Sequence, residues 1–542
     1  MATRSANLPA NQTREQWNHS AGFILAAIGS AVGLGNIWRF PGVAYSSGSG
    51  AFLIPYLVAL LTAGVPILFL DYAIGHRFRG APPLAFRRMA KWAEPLGWFQ
   101  TALLFVISVY YAAVVAWAAS YFIFSFNLRW GDDTATFFVS DYLKVGDPVV
   151  SLTPVWGVMV PMILVWVTIG VILLLGVARG LEKLNMIFIP LLVVAFIGLV
   201  IRALFLPGAL DGLDAFFTPN WSALADPNVW IAAYAQIFFS LSIAFGIMIT
   251  YASYQRRKAN MTSAGLVVAF ANSSFELLAG IGVFATLGFM AHQQATQISD
   301  LEGLSGPILS FVTFPKVISE MPGGNIFGAV FFASLVIAGF TSLISIVQGI
   351  SASIQEKFGL GRVPAGIIVT IVCGLISVSL FGTTSGLIAL DTVDMWSNNL
   401  GIVLSAIIMS ILVIWVMRRG KELRIHLNTV STFHVGPWWT VLVGLLGPVV
   451  LGFMLVQRVI TLVSEGYEGY PGWYLGVFGW GTIVFLIVVA FVMTAIPWRH
   501  KADSDAFFDA WPPIRDAGRS DARRDTAATT GNNTTGNKEV GR

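Results

Sequence analysis

Long apolar runs separated by short polar loops dominate the chain. Twelve such runs lie at about residues 20–44, 50–75, 98–126, 152–177, 185–206, 228–254, 263–291, 325–354, 363–382, 396–417, 438–462 and 472–497. At 1.5 Å per residue, each is long enough as a helix to cross a hydrocarbon core about 30 Å thick. Two of them make poor helices. Ser20 to Trp38 carries no charge, yet Gly29, Gly33 and Gly35 crowd its centre with Ser30 and Asn36, and each glycine costs roughly 1 kcal/mol against alanine in a helix interior. Pro227 to Gln255 is also uncharged, and Ser240, Ser242 and Gly246 interrupt it between Phe239 and Gly246. No water reaches that depth to satisfy a freed carbonyl or N–H, so an unwound segment must be buried in protein or line a cavity. Its backbone atoms then become ligands. Two interruptions about 210 residues apart, one in each of two groups of five runs, point to a transporter binding site.

This pattern predicts an all-α polytopic membrane protein of twelve transmembrane helices. Residues 20–207 and 228–417 form two inverted five-helix repeats with helices 1 and 6 broken, a loop at 208–227 joins them, and two further helices lie in 438–497. Composition agrees: 56% of the 542 residues are hydrophobic and 11% charged, where soluble domains carry about 25% charged residues. The polar arm 1–19 does not read as a signal peptide, and the tail 498–542 is too polar to bury apolar surface and reads as disordered. The stretch Gly306 to Gly324 is too apolar for a solvated loop and is expected to pack back as a cap. Basic residues cluster in alternate loops, at Arg77, Arg79, Arg87, Arg88 and Lys91, at Arg256, Arg257 and Lys258, and at Arg418, Arg419, Lys421 and Arg424. The excess of positive charge on one side places both termini in the cytoplasm of a cell-membrane protein. With basic residues confined to short loops, the net charge of +4 does not speak for nucleic acid. The six histidines show no metal-ligand spacing and no nucleophile motif appears, which argues against a membrane enzyme. Cys373 is the single cysteine and reads as a small buried hydrophobe.

Five motifs, in order, carry a family resemblance: GSAVGLGNIWRFP (Gly29 to Pro41), GAFLIPY (Gly50 to Tyr56), the Tyr110-Tyr111 pair, the run Trp230 to Tyr254, and AGFTSLISIVQ (Ala338 to Gln348). Over roughly residues 14 to 417 the chain resembles the neurotransmitter:sodium symporter family, and within it the bacterial amino-acid transporters. The resemblance implies two sodium ions, held by oxygen ligands as suits a hard cation. The first site would use the Ala31 carbonyl, Asn36, Ser240, Asn272 and the substrate carboxylate. The second would use carbonyls of Gly29, Val32 and Ala338 with hydroxyls of Thr341 and Ser342. Hydroxyls also back-bond within helices, and Gly29 with Gly33 also suits close helix packing. Asn36 and Asn272, amides too polar to bury without a partner, weigh toward function.

The substrate would lie between the broken helices, near Ser30 and Ala31. Amides of Leu34 and Gly35 at a half-helix N-terminus, with the Tyr111 hydroxyl, would take a carboxylate. Carbonyls near Phe239, Ser240 and Ser242 would take an ammonium. Ile107, Phe239, Phe245, Ser342 and Ile346 would wall an apolar pocket for a side chain such as that of Leu, Met or Ala. Amine-selective members carry Asp at the position of Ala31, so here the ligand is expected to bring its own carboxylate. Glu276, four residues after Asn272 in an uncharged run, stands where chloride-dependent members have Ser; Tyr56, Gln236 and Ser240 stand for their other chloride ligands. A carboxylate there implies chloride independence. Arg39 and Asp394 resemble an outer gate. Arg14, Trp17, Ser253, Tyr254, Gln348 and Glu356 resemble an inner one, with Glu in place of the usual Asp. The implied function is sodium-coupled import of a neutral amino acid by alternating access. Another zwitterion or osmolyte, a non-translocating sensor, and an accessory subunit or homodimer stay open.

Overall fold

The computed structural model describes residues 15–301 and 306–500. An apolar run must pair its backbone N–H and C=O groups internally, and helices do so. The helices are α1 (Ser20–Ala31), α2 (Leu34–Ser46), α3 (Gly50–Phe78), α4 (Pro82–Met89), α5 (Lys91–Ser125), α6 (Trp156–Gly176), α7 (Gly180–Leu204), α8 (Ala209–Phe217), α9 (Pro227–Ser240) and α10 (Ile247–Ser253). They continue as α11 (Met261–Gln293), α12 (Phe314–Glu320), α13 (Gly324–Phe358), α14 (Arg362–Phe381), α15 (Gly386–Val416), α16 (Gly420–Val430), α17 (Pro437–Ser464) and α18 (Gly472–Ala495). No β-strand forms among the described residues.

Ten helices (α3, α5, α6, α7, α11, α13, α14, α15, α17 and α18) are long and apolar enough to cross a membrane alone, and α1 with α2, bent by 52° at their break, makes an eleventh. The run expected at 228–254 is split into α9 and α10 by residues 241–246. The most enclosed helices, α5 and α13, pack against each other at the centre; α1 lies against α7, α11 and α13, and α10 against α3. The stretch after Gly306 packs back as expected: Leu309, Phe311, Phe314, Val317 and Ile318 are buried, and the Phe311 ring meets Trp38, Trp117 and Phe138.

Three spans begin at least five residues earlier than the hydropathy pattern predicts, and in each an acidic residue in the added stretch is satisfied by protein; in α7 it is Glu182, which accepts the Asn18 and His19 N–H groups. Helix α5 includes Glu94, fully buried, which accepts from Arg87 and Lys357 at 2.7 Å each and from the Trp98 and Trp498 indoles at 3.0 and 2.9 Å. Helix α15 begins at Gly386 rather than 396, because Asp391 accepts from the Tyr467 hydroxyl at 3.1 Å and Asp394 from Asn398 at 2.7 Å.

Candidate functional site

The first break is a two-residue gap. Helix α1 ends at Val32 (φ −74°, ψ 93°), Gly33 is extended, and α2 starts again at Leu34. Asn36 caps this start from inside, its amide oxygen accepting the Gly33 N–H at 2.9 Å. A Cβ on Gly33 would lie 3.0 Å from the Ser342 hydroxyl and 3.1 Å from that of Tyr111, so the bare backbone is what lets both hydroxyls approach. Tyr111 accepts the next N–H, that of Leu34, at 3.3 Å. Free amides at a helix start attract anions, and Tyr111 stands at this one.

The second break is built from residues that rarely adopt its conformation: Ser242 (φ 53°), Ala244 (φ 65°) and Gly246 (φ 97°) are all left-handed. For a residue with a side chain this costs roughly 1–2 kcal/mol, so neighbours must hold it. The Ala244 N–H donates to Asp71 at 2.8 Å, and the Ala244 carbonyl accepts from Ser405 at 2.5 Å. The Ser242 hydroxyl donates to the Ser30 carbonyl at 3.0 Å, which ties the two breaks to each other. Phe239 and Ser240, expected inside the interruption, are instead the last turn of α9.

A polar chain runs beside the breaks. Asn36 donates to the Asn272 oxygen at 2.8 Å, and Asn272 donates to Ser240 at 3.1 Å. Glu276, one turn further along α11 and fully buried, accepts from Gln236 at 2.6 Å and from the Tyr56 hydroxyl, with Ser240 as a further partner. Asn36, Asn272 and Ser240 of the set expected for the first sodium site are thus in mutual contact, and Ala31, whose carbonyl was expected to join them, is buried at the end of α1. Around the expected second site, Ser342 donates to the Gly29 and Ser30 carbonyls at 3.2 Å each. Thr341 bonds back to Ala338 and Ile337 at 3.0 Å within α13, and Val32 caps α1. Carbonyls and hydroxyls gathered without opposing amines suit a hard monovalent cation.

Ile107, Phe245 and Ile346 are buried. A cavity beside Phe239, which none of these three lines, lies between Arg39, Phe238, Asn398, Asn399 and Arg458. The expected outer gate is not joined: the Arg39 guanidinium sits 4.7 Å over the Phe239 ring, and no ion pair links it to Asp394 among the described residues. Asp394 is already satisfied by Asn398 and Tyr110. The opposite, basic face is sealed. Trp17, 1% exposed, donates its indole N–H to the Tyr251 carbonyl at 3.0 Å and its backbone N–H to that of Tyr254 at 3.2 Å. Gln348 donates to the Tyr254 hydroxyl at 3.0 Å. Ser253 bonds back to the Thr250 carbonyl, and Glu356 accepts the Ala81 N–H at the start of α4 at 3.0 Å. Arg14 lies outside the described residues.

Two residues that hold the second break escape the sequence reading. Asp71 carries the signal that singled out Glu276, a lone carboxylate in an apolar run. Ser405 carries none, since one more serine in an apolar helix is unremarkable.

The bundle and its paired breaks define a membrane transporter. The profile of the sodium:neurotransmitter symporter family matches residues 14–138 and 131–501, and the chain belongs to that family. It is 40% identical over 490 residues to an uncharacterised sodium-dependent transporter of Methanocaldococcus jannaschii, covering 90% of this chain and 98% of that one. A rat sodium- and chloride-dependent taurine transporter is 29% identical, with 90% and 86% covered. A mouse sodium-dependent neutral amino acid transporter, B(0)AT3, is 28% identical, with 85% and 86% covered. The chain is therefore a sodium-dependent transporter, not an enzyme.

Proposed function

We propose that this protein imports a neutral amino acid together with two sodium ions, without a need for chloride. The observation that carries this reading is the Ser242–Ser30 tie, which brings both breaks together beside the Asn36–Asn272–Ser240 chain. A cation at that chain and a carboxylate at the Leu34 amide and Tyr111 would be neighbours, and the ammonium would meet the freed carbonyls of the second break. With Ala31 in place of an acid, the ligand's own carboxylate completes the first cation site. Ile107, Phe239, Phe245, Ser342 and Ile346 wall its side chain.

Chloride independence rests on Glu276. Its carboxylate is bonded by Gln236, Tyr56 and Ser240, the residues that the resemblance assigns to chloride, and so supplies a fixed negative charge where an anion would otherwise be recruited. With the basic face in the cytoplasm, both termini lie inside, and the repeats 20–207 and 228–417 alternate access around the breaks. Each positive charge moved inward contributes about 2.3 kcal/mol per 100 mV, so two sodium ions with a zwitterion accumulate substrate strongly.

The test is a binding screen of the twenty amino acids, taurine and GABA on the purified protein, with and without sodium, in chloride and in gluconate. A neutral amino acid that binds with sodium in either anion is expected. Binding of taurine or GABA alone, or a requirement for chloride, defeats the corresponding part. Glu276→Ser is expected to make binding chloride-dependent.

A further inference from the structure

The basic face carries a hydrogen-bond chain that no step of the proposed transport uses. In the last turn of α3, His76 Nε2 lies 2.9 Å from the Arg256 carbonyl in the loop after α10, and His76 Nδ1 lies 2.9 Å from Nε2 of His426 on α16. Both rings are fully buried. With Arg77, Arg79 and Arg257 acting on the pair, both are neutral, and their hydrogens are then placed by elimination. A carbonyl only accepts, so His76 Nε2 carries the hydrogen of that ring and His76 Nδ1 is bare. The contact to it requires the hydrogen of His426 on Nε2. His426 Nδ1 is left as a bare acceptor, buried and with no partner.

The pair links a seal to a clamp. Trp17 closes the basic face by bonding to Tyr251 and Tyr254 at the end of α10. The loop that follows is tied to the end of α3 twice, by His76 on the Arg256 carbonyl and by Arg79 on the Gln255 carbonyl at 2.9 Å. Helix α16 grips α3 in turn, through His426 on His76 and through Glu422, one turn before His426, on Arg77 at 3.1 Å. The groups that act on His426 are His76 and Arg77 from α3 and Arg257 from the loop. Glu422 is engaged by Arg77 and by Arg419, the latter at 2.6 Å, and α11, which also packs on α16, has no titratable side chain before Glu276. A proton on His426 Nδ1 would therefore make a cation beside cations, with an N–H that finds no acceptor. The ring takes it only where α16 has moved and water reaches it.

We propose that α16 is a proton-sensitive clamp on the basic-face seal, with His426 Nδ1 as its proton site, so that acid on that face draws α16 off α3 and lets the end of α10 leave Trp17. The size of the effect follows from linkage. Burial and the neighbouring cations hold His426 well below the ordinary 6.5 in the clamped form, whereas the released ring titrates near 6.5. The clamp is thus complete above about pH 6.5 and weakens below it, and the ratio of released to clamped protein rises about tenfold between about pH 7.5 and 5.5.

The test uses the full-length protein in sodium-free detergent solution and the rate at which a methanethiosulfonate labels a cysteine placed at Ser345, in a Cys373→Ala background. The Tyr251 hydroxyl reaches Ser345 at 2.6 Å, and the Trp17 ring packs on that of Tyr251. Each rate is divided by that of the same protein carrying Trp17→Ala, whose seal is already broken, which cancels the pH dependence of the thiol itself. The quotient is expected to rise about tenfold from about pH 7.5 to 5.5. In His426→Gln, which keeps a donor for His76 and takes up no proton, it is expected to stay constant within about twofold. If His426→Gln does not fold, His426→Phe is read against the same thresholds. Labelling of the native Cys373, buried in α14, reports general unfolding and is expected to lack any such rise. A quotient that stays within twofold in the protein with His426 intact overturns the proposal, as does a rise that survives in His426→Gln or that Cys373 labelling follows.

Discussion

Replacing Asp71 tests whether the second break is held from outside. The segment carries two non-glycine residues in left-handed backbone, Ser242 and Ala244, a strain of about 2–4 kcal/mol in total. Asp71 holds the Ala244 N–H at 2.8 Å in a fully buried setting, and a hydrogen bond to a charged group contributes about 1.5–3 kcal/mol. That one contact is as large as the strain at Ala244. Its loss in Asp71→Ala lets residues 241–246 leave the conformation that presents their carbonyls, and sodium-dependent binding is expected to weaken about 10- to 150-fold. Asp71→Asn keeps an acceptor but not the charge, so the loss should be about 3- to 10-fold. Ser405 grips the carbonyl of the same residue, Ala244; Asp71→Ala and Ser405→Ala should therefore be non-additive, with an interaction energy of about 0.5–3 kcal/mol. The assay is equilibrium ²²Na⁺ binding in the presence of the twenty amino acids, with a melting curve for each variant to separate unfolding from lost affinity. Asp71→Ala binding within twofold of wild type would refute the reasoning.

Three further outcomes follow from other contacts. Glu94→Gln leaves Lys357 buried without its counter-charge, and stability should fall by about 3–5 kcal/mol, read as a lowered melting temperature in detergent; Trp498→Phe removes one hydrogen bond from the same carboxylate and should cost about 1 kcal/mol. Trp17→Ala breaks the basic-face seal, so a cysteine introduced at Ser345 should become reactive to a thiol reagent applied from that face. His426 on α16 is held well below the ordinary 6.5 by burial first, then by His76, Arg77 and Arg257. The folded state favours its neutral form, so the stability it contributes is complete above about pH 6.5 and is lost as pH falls below that value while the unfolded chain takes up the proton. The melting temperature should drop on acidification, and His426→Gln should blunt the drop.

Polar side chains inside apolar runs were the legible part of the site. Asn36, Asn272 and Glu276 stand out because each must find a partner away from water, and each has found the others' neighbours. The first break was legible for a similar reason, since glycines mark a helix that cannot hold together. The second was located less well: its strained residues include Ser242 and Ala244, and a left-handed serine or alanine looks like any other until a neighbour such as Asp71 is seen gripping it. The hydrogen-bond partners of Asp394 were not legible, because which partner a buried carboxylate takes depends on helix rotation. Asn398 and Tyr110 reach Asp394, and no spacing rule ranks them against Arg39.

On the proposed reading, one atom links the cation to the carboxylate. The Asn36 amide oxygen accepts the Gly33 N–H, and it is the same oxygen that would ligate sodium at the first site. Its two lone pairs allow both contacts, but a cation that draws the oxygen toward itself lengthens the bond to the N–H. When the oxygen turns, Gly33 regains a free donor at the start of α2, next to the Leu34 amide that Tyr111 already attends. Two adjacent donors at a helix start then face the place where a carboxylate would complete the sodium shell. Sodium would thus sharpen the anion site through one side-chain rotation, and the carboxylate in turn would favour the rotated state, since a coupling between two bound species acts equally in both directions.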